Sequence, residues 1–184
     1  DGFGPELSFA KTLAGKEKAD IAIAKFTHSG SQIIDWTPEG SMARSRHIYP
    51  KFIRFIREAV SELEAKGNKV ELAGIFYHMG ENDMSFHPYR RQAADRLQAI
   101  IGQSRTDLGK PGLKWYVSQQ PPTDDKRVNN VDVVAEVSAA AAADPHLIHI
   151  KAFDLPPQEK KLVITTEGIV KLGEFIARAY LSRD

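Results

Sequence analysis

The chain has 184 residues, of which 42% are hydrophobic and 27% charged, a length that suits one domain with a real core. Disorder is excluded as a global description, and a formal net charge of +1 gives no electrostatic bias toward nucleic acid or membrane. The absence of cysteine excludes a disulfide framework, a thiol nucleophile and a thiolate zinc site, and no apolar run approaches the roughly 20 residues that cross a bilayer.

Pro5-Glu6 opens a first helix, because Pro tolerates the first turn and Glu suits the positive helix end. Leu7, Phe9, Ala10 and Leu13 give it an apolar face, and Gly15 stops it. Residues 20–27 (DIAIAKFT) are short, apolar and partly β-branched, which predicts a buried strand. A loop rich in Gly, Ser and Pro covers residues 28–47. Residues 49–66 have helical period and end at Gly67-Asn68. A second strand is predicted over 70–77, a long amphipathic helix over 87–108 and a third strand over 113–119, closed by Pro121-Pro122. Residues 128–143 read as helix, 147–150 as a fourth strand and 166–181 as the last helix.

Helices that alternate with short apolar strands predict βα crossover units. The expected fold is α/β: a three-layer α/β/α sandwich with a mostly parallel central sheet. Ligands bind such sheets at the carboxyl ends of the strands. The segments to search are therefore 28–36, 78–86, 119–126 and 151–166.

The stretch after the second strand, Gly80-Glu81-Asn82-Asp83, is the richest in chemistry. Gly80 permits a tight turn, an Asn amide at a strand end can donate to a developing oxyanion, and a carboxylate can orient a catalytic His. The same residues also suit an Asx-type turn with solvated acids.

Four ordered blocks give these residues a context. Gly80-Glu81-Asn82-Asp83 resembles the Gly-x-Asn-Asp block of SGNH/GDSL hydrolases. With its preceding residues it is similar to the His-Gln-Gly-Glu stretch of carbohydrate esterase family six and sialate O-acetylesterase-like proteins. Gly2-Phe3-Gly4-Pro5-Glu6-Leu7-Ser8-Phe9-Ala10 resembles a Gly-Pro-Glu-x-Ser-Phe-Ala block. His28-Ser29-Gly30-Ser31 with Asp35-Trp36 is similar to a Gly-Gly-Thr-x-x-x-x-Trp block, and Thr165-Thr166-Glu167-Gly168 with Leu172-Gly173 to the entry of the C-terminal helix.

The resemblance implies a single SGNH-like domain over 1–184 that hydrolyses acetyl esters on carbohydrates, without metal or organic cofactor. A Ser attacks, a His acts as base and a hole binds the oxyanion. It implies Asn82 as the oxyanion side chain, Gly80 in the same block, a backbone N–H near the hole from Gly4 or Gly30, and Glu81 as the acid that holds the His. Asp83 holds the loop together. His78, His28, Ser31 and Gln119 sit at strand ends where a sugar would bind. The implied partner is an acetylated carbohydrate or other small ester, with no nucleic acid, and export is implied by family habit.

This sequence also departs from the pattern. The Gly-x-Ser-Asn nucleophile block belongs on a strand before the Gly-Pro-Glu segment, yet the chain opens on Asp1-Gly2-Phe3-Gly4. The expectation is a fold that lacks its first strand and is N-terminally incomplete. Lys160 and Val163 stand where the family has the Asp and His of its base motif, and Met79 stands for Gln. His28, His78, His146 and His149 are the alternative imidazoles. These departures support a second reading, a catalytically inactive or altered domain that binds glycans.

Overall fold

A computed structural model describes residues 4–42, 46–85, 88–120, 132–151, 155 and 164–182, with backbone only at 81 and 85. Its elements in chain order are α1 (Glu6–Leu13), a 3-10 turn (Ile33–Trp36), α2 (Tyr49–Ala65), β1 (Ile75–Met79) and α3 (Glu81–Ser85). A second 3-10 turn (Arg90–Gln92) leads into α4 (Ala93–Asp107), followed by β2 (Trp115–Gln119), α5 (Val133–Ala143), β3 (Leu147–Ile150) and α6 (Thr166–Leu181).

The described strands form one parallel sheet in the order β1-β2-β3. Ile75 pairs with Trp115 and Met79 with Gln119, while Trp115 pairs with Leu147. Each strand-to-strand connection carries a helix, as parallel pairing requires. All five residues of β2 are buried, the polar Ser118 and Gln119 included, as befits a strand covered on both faces.

Alternation along the strands sorts the core into two layers. Ile75, Met79, Trp115, Val117 and Leu147 face α2, α4, α5 and the first 3-10 turn. Phe76, Tyr116, Ile148 and Ile150 face α1 and α6. Between α1 and α6 the approach is close: a Cβ on Gly173 would lie 2.2 Å from the carbonyl oxygen of Pro5. On the other side, Arg105 of α4 is tied to the Asp144 carboxylate before β3 and donates to the Leu113 carbonyl at 3.0 Å. The three-layer α/β architecture expected from the sequence is the one observed.

One expected strand is absent. Residues 20–27 belong to no ladder, and Ile21 and Ile23 are 43% and 41% exposed. The backbone nonetheless behaves like a strand in one respect. Lys25 reaches Glu6 of α1 at 2.7 Å, and the next residue, Phe26, packs on Trp36, Phe52 and Phe55 in the opposite layer. Apolar, β-branched composition favours a strand, but a strand also needs a neighbour to take its N–H and C=O groups, and none pairs with this segment among the described residues.

The same reason moves the start of β1. The sequence predicts residues 70–77, but the first ladder contact is Ile75 N–H to Lys114 C=O at 3.0 Å. The long helix expected from residue 87 resolves into the Arg90–Gln92 turn and α4, and residue 87 itself lies outside the described set. Expected loops also contain two short helical pieces, Ile33–Trp36 and Glu81–Ser85.

Candidate active site

Two loops meet at the carboxyl end of β1. The first, residues 28–36, turns at Gly30, whose φ of +65° is a conformation that glycine adopts without strain. Ser31 follows, and its hydroxyl donates to the His28 carbonyl at 2.8 Å while accepting the Trp36 indole N–H at 3.0 Å. Asp35 closes the far end by accepting the Gln32 N–H at 2.9 Å, a capping arrangement for the 3-10 turn.

The second loop is α3 with Gly80 before it. Asn82 donates its side-chain amide to the Ser31 carbonyl at 3.3 Å. Asp83, 2% exposed, accepts the Ile33 N–H on both oxygens, at 2.9 and 3.1 Å. A carboxylate tucked among apolar residues is tolerable only with such partners. Burial lifts the Tyr77 phenol well above its ordinary range, and the nearby Asp83 and Asp35 carboxylates add to the rise. Arg46 stands over the turn, donating to the Gly30 carbonyl at 3.1 Å, with its guanidinium 4.0 Å from Asp35.

Asn82, Gly30 and Ser31 are thus brought together, with Gly80 at the mouth of β1. A Cβ on Gly80 would meet nothing within 4 Å, so the space beside it is open. Glu81 is the first residue of α3, and its side chain is outside the described set. Gly4 sits apart at the start of α1, where its N–H donates to Glu6 at 3.1 Å. His28 is exposed, with its Nδ1 3.2 Å from the Ser29 carbonyl oxygen. Residues 121–131 and 156–163, with Lys160 and Val163, also lie outside the described residues.

Sequence reasoning gave little warning of the polar pairs at the ends of β2 and β3. His78 faces Ser118 across the β1–β2 pairing, Nδ1 to Oγ 2.8 Å, and its Nε2 is buried without a hydrogen-bond partner among the described residues. Burial lowers this imidazole to about 4. Gln119, 0% exposed, places Oε1 2.9 Å from His149 Nε2, and His149 Nδ1 lies 2.9 Å from Ser138 Oγ. Gln119 therefore points into the α4–α5 layer. Pairing register would have revealed these contacts, and register is not readable from one strand alone.

The His78 shift carries a testable sign. Its folded value is depressed, so the neutral ring contributes stability that is fully present above the unfolded value near 6.5 and is lost as pH falls toward 4. His149, lowered chiefly by burial and further by Lys151, adds in the same direction. Urea denaturation at stepped pH should show stability falling between pH 6.5 and 4, on the order of 2–3 kcal/mol for His78 alone. His78→Gln should flatten that slope; an unchanged slope would refute the buried neutral imidazole.

Comparison with known proteins identifies the family. A family model described as "Carbohydrate esterase, sialic acid-specific acetylesterase" matches residues 1–182. The chain belongs to that carbohydrate esterase family. A probable carbohydrate esterase of Arabidopsis thaliana is 23% identical over 188 residues, covering 98% of this chain and 64% of the plant protein. An X-ray structure of an Arabidopsis thaliana protein superposes with a TM-score of 0.73 at 22% identity, covering 98% of this chain and 69% of that one. The chain thus spans slightly less than two thirds of its curated relative's length. Its shared fold extends over nearly all 184 residues.

Proposed function

We propose that this carbohydrate esterase contributes the oxyanion half of an SGNH-type O-acetylesterase site, acting on acetyl esters of sugars. The observation that carries the reading is the junction of Asn82 with the Gly30-Ser31 turn. One amide N–H of Asn82 anchors on the Ser31 carbonyl, and the amide has a second N–H to offer an oxyanion. The backbone N–H of Gly30 lies on the same turn. In this reading Glu81 orients the base and Gly80 leaves room for the acyl group. The nucleophile is a Ser on a strand supplied from outside these residues. The outer edge of β1 supports that view, since it has no strand neighbour among the described residues.

The chemistry follows from that placement. Attack on the acetyl carbonyl puts negative charge on its oxygen, and donors already aimed there stabilise the charge without reorganising. No step needs a metal or organic cofactor. The test is hydrolysis of p-nitrophenyl acetate and of an O-acetylated sugar by the full-length protein. Turnover should exceed background and fall about 10²–10³-fold in Asn82→Ala. No turnover by folded full-length protein would sink the reading.

A second reading, a glycan-binding domain without turnover, draws on Met79, whose side chain is 0% exposed and offers no amide to the site. Lys160 and Val163 point the same way. Binding of an acetylated oligosaccharide without its hydrolysis is the outcome that favours it.

A further inference from the structure

Asp83 has no chemical task in the reaction above, yet it is buried to 2% exposure. Its carboxylate takes the Ile33 N–H on both oxygens. Hydrogen bonds to an ionised acceptor are roughly twice as strong as neutral ones. Two residues upstream of Ile33 is Ser31, whose carbonyl receives the Asn82 amide. Asn82 is in turn the chain neighbour of Asp83.

These links close a ring. It runs from the Asn82 side chain to the Ser31 carbonyl, along the backbone through Gln32 to the Ile33 N–H, across to Asp83, and back along the chain to Asn82. A single hydrogen bond leaves a side chain free to pivot, whereas a ring fixes both position and tilt. The Asn82 contact is long, at 3.3 Å, and the Asp83 contacts are shorter, so the Asp83 side carries the ring. Asp35 takes the N–H just before, that of Gln32, so two consecutive amides of the turn are held by carboxylates. Gly30 lies immediately before the stretch that is stiffened.

We propose that Asp83 is the positioning residue of the site: through the Ile33 N–H it sets where the Asn82 amide and the Gly30-Ser31 turn stand relative to each other. The catalytic consequence rests on the esterase reading; the positioning does not. A misplacement of about 1 Å at such a site can cost about 100-fold in rate.

Nuclear magnetic resonance on the labelled 184-residue chain tests the positioning directly. The unsubstituted protein should show scalar coupling across the hydrogen bond between the Ile33 amide and the Asp83 carboxylate carbon. In Asp83→Asn, which keeps the shape and one acceptor oxygen, Ile33 amide exchange should quicken and the Asn82 side-chain amide resonances should move. The amides of β2 should stay protected. In the full-length protein the same substitution should lower kcat about 10–100-fold with KM nearly unchanged. Absence of the coupling in the unsubstituted chain overturns the proposal, whatever any variant does. So do unmoved Asn82 resonances in folded Asp83→Asn, or a kcat loss that only tracks the unfolded fraction. Moved resonances in a full-length protein without esterase activity would uphold the positioning and remove the esterase reading instead.

Discussion

Gly173→Ala should destabilise the protein by roughly 3 kcal/mol, the upper end of what overpacking usually costs. The added methyl has nowhere to go. It would stand 2.0 Å from the Ser8 hydroxyl, 2.2 Å from the Pro5 carbonyl oxygen and 2.9 Å from the Phe9 nitrogen. Two of these three atoms are backbone of α1 and its entry, so no rotamer change relieves the clash. The helices must separate, which loosens the layer formed by Phe9, Leu13, Tyr116, Leu172 and Ile176. For a chain of this length the midpoint of thermal unfolding should fall by about 10 °C. Gly102→Ala is the control. That glycine is exposed in α4 with nothing within 4 Å of a new Cβ, so the substitution should stabilise by up to about 1 kcal/mol. Two Gly→Ala changes in helices with the same sign and size would show that the close α1–α6 contact is wrong.

Trp36→Ala should be costlier still, about 3–5 kcal/mol, because a large buried aromatic leaves a cavity its rigid neighbours cannot fill. Trp36 packs edge-on against Phe26 at 5.6 Å, Phe52 at 6.0 Å and Tyr77 at 6.0 Å between ring centroids. Its indole N–H also supports the Ser31 hydroxyl. Trp36→Phe separates the two roles. It keeps most of the packing and removes the hydrogen bond, so it should cost nearer 1 kcal/mol. Urea denaturation of both variants measures the difference. Equal losses would mean that the hydrogen bond, not the packing, dominates at this residue.

Much of the architecture was legible because it rests on local signals. The helical periods over α2 and α6, the apolar runs of β2 and β3, and Gly67 as a stop signal all act within a few residues of themselves. Residues 20–27 mark the limit. Their composition implies a buried strand, but pairing depends on what lies alongside, which no local pattern encodes. At the site, residue types and order pointed to Asn82 and the Gly30-Ser31 turn, and the structure joins them. Asp83 was legible as a loop-holder but not as the acceptor of an N–H fifty residues away. Trp36 was recognisable by its place in a block, but its hydrogen bond to Ser31 came only with coordinates. Gln119 ends a strand as expected, yet the register turns it toward His149.

That last contact has a consequence for proton bookkeeping. The amide oxygen of Gln119 can only accept, so the His149 Nε2 must carry the hydrogen, and Nδ1 is left to accept from the Ser138 hydroxyl. Both nitrogens are committed and one tautomer is locked. To take up a second proton, the ring would have to present a donor to Ser138 and turn that hydroxyl away. Through this one ring, β3, β2 and α5 are tied together.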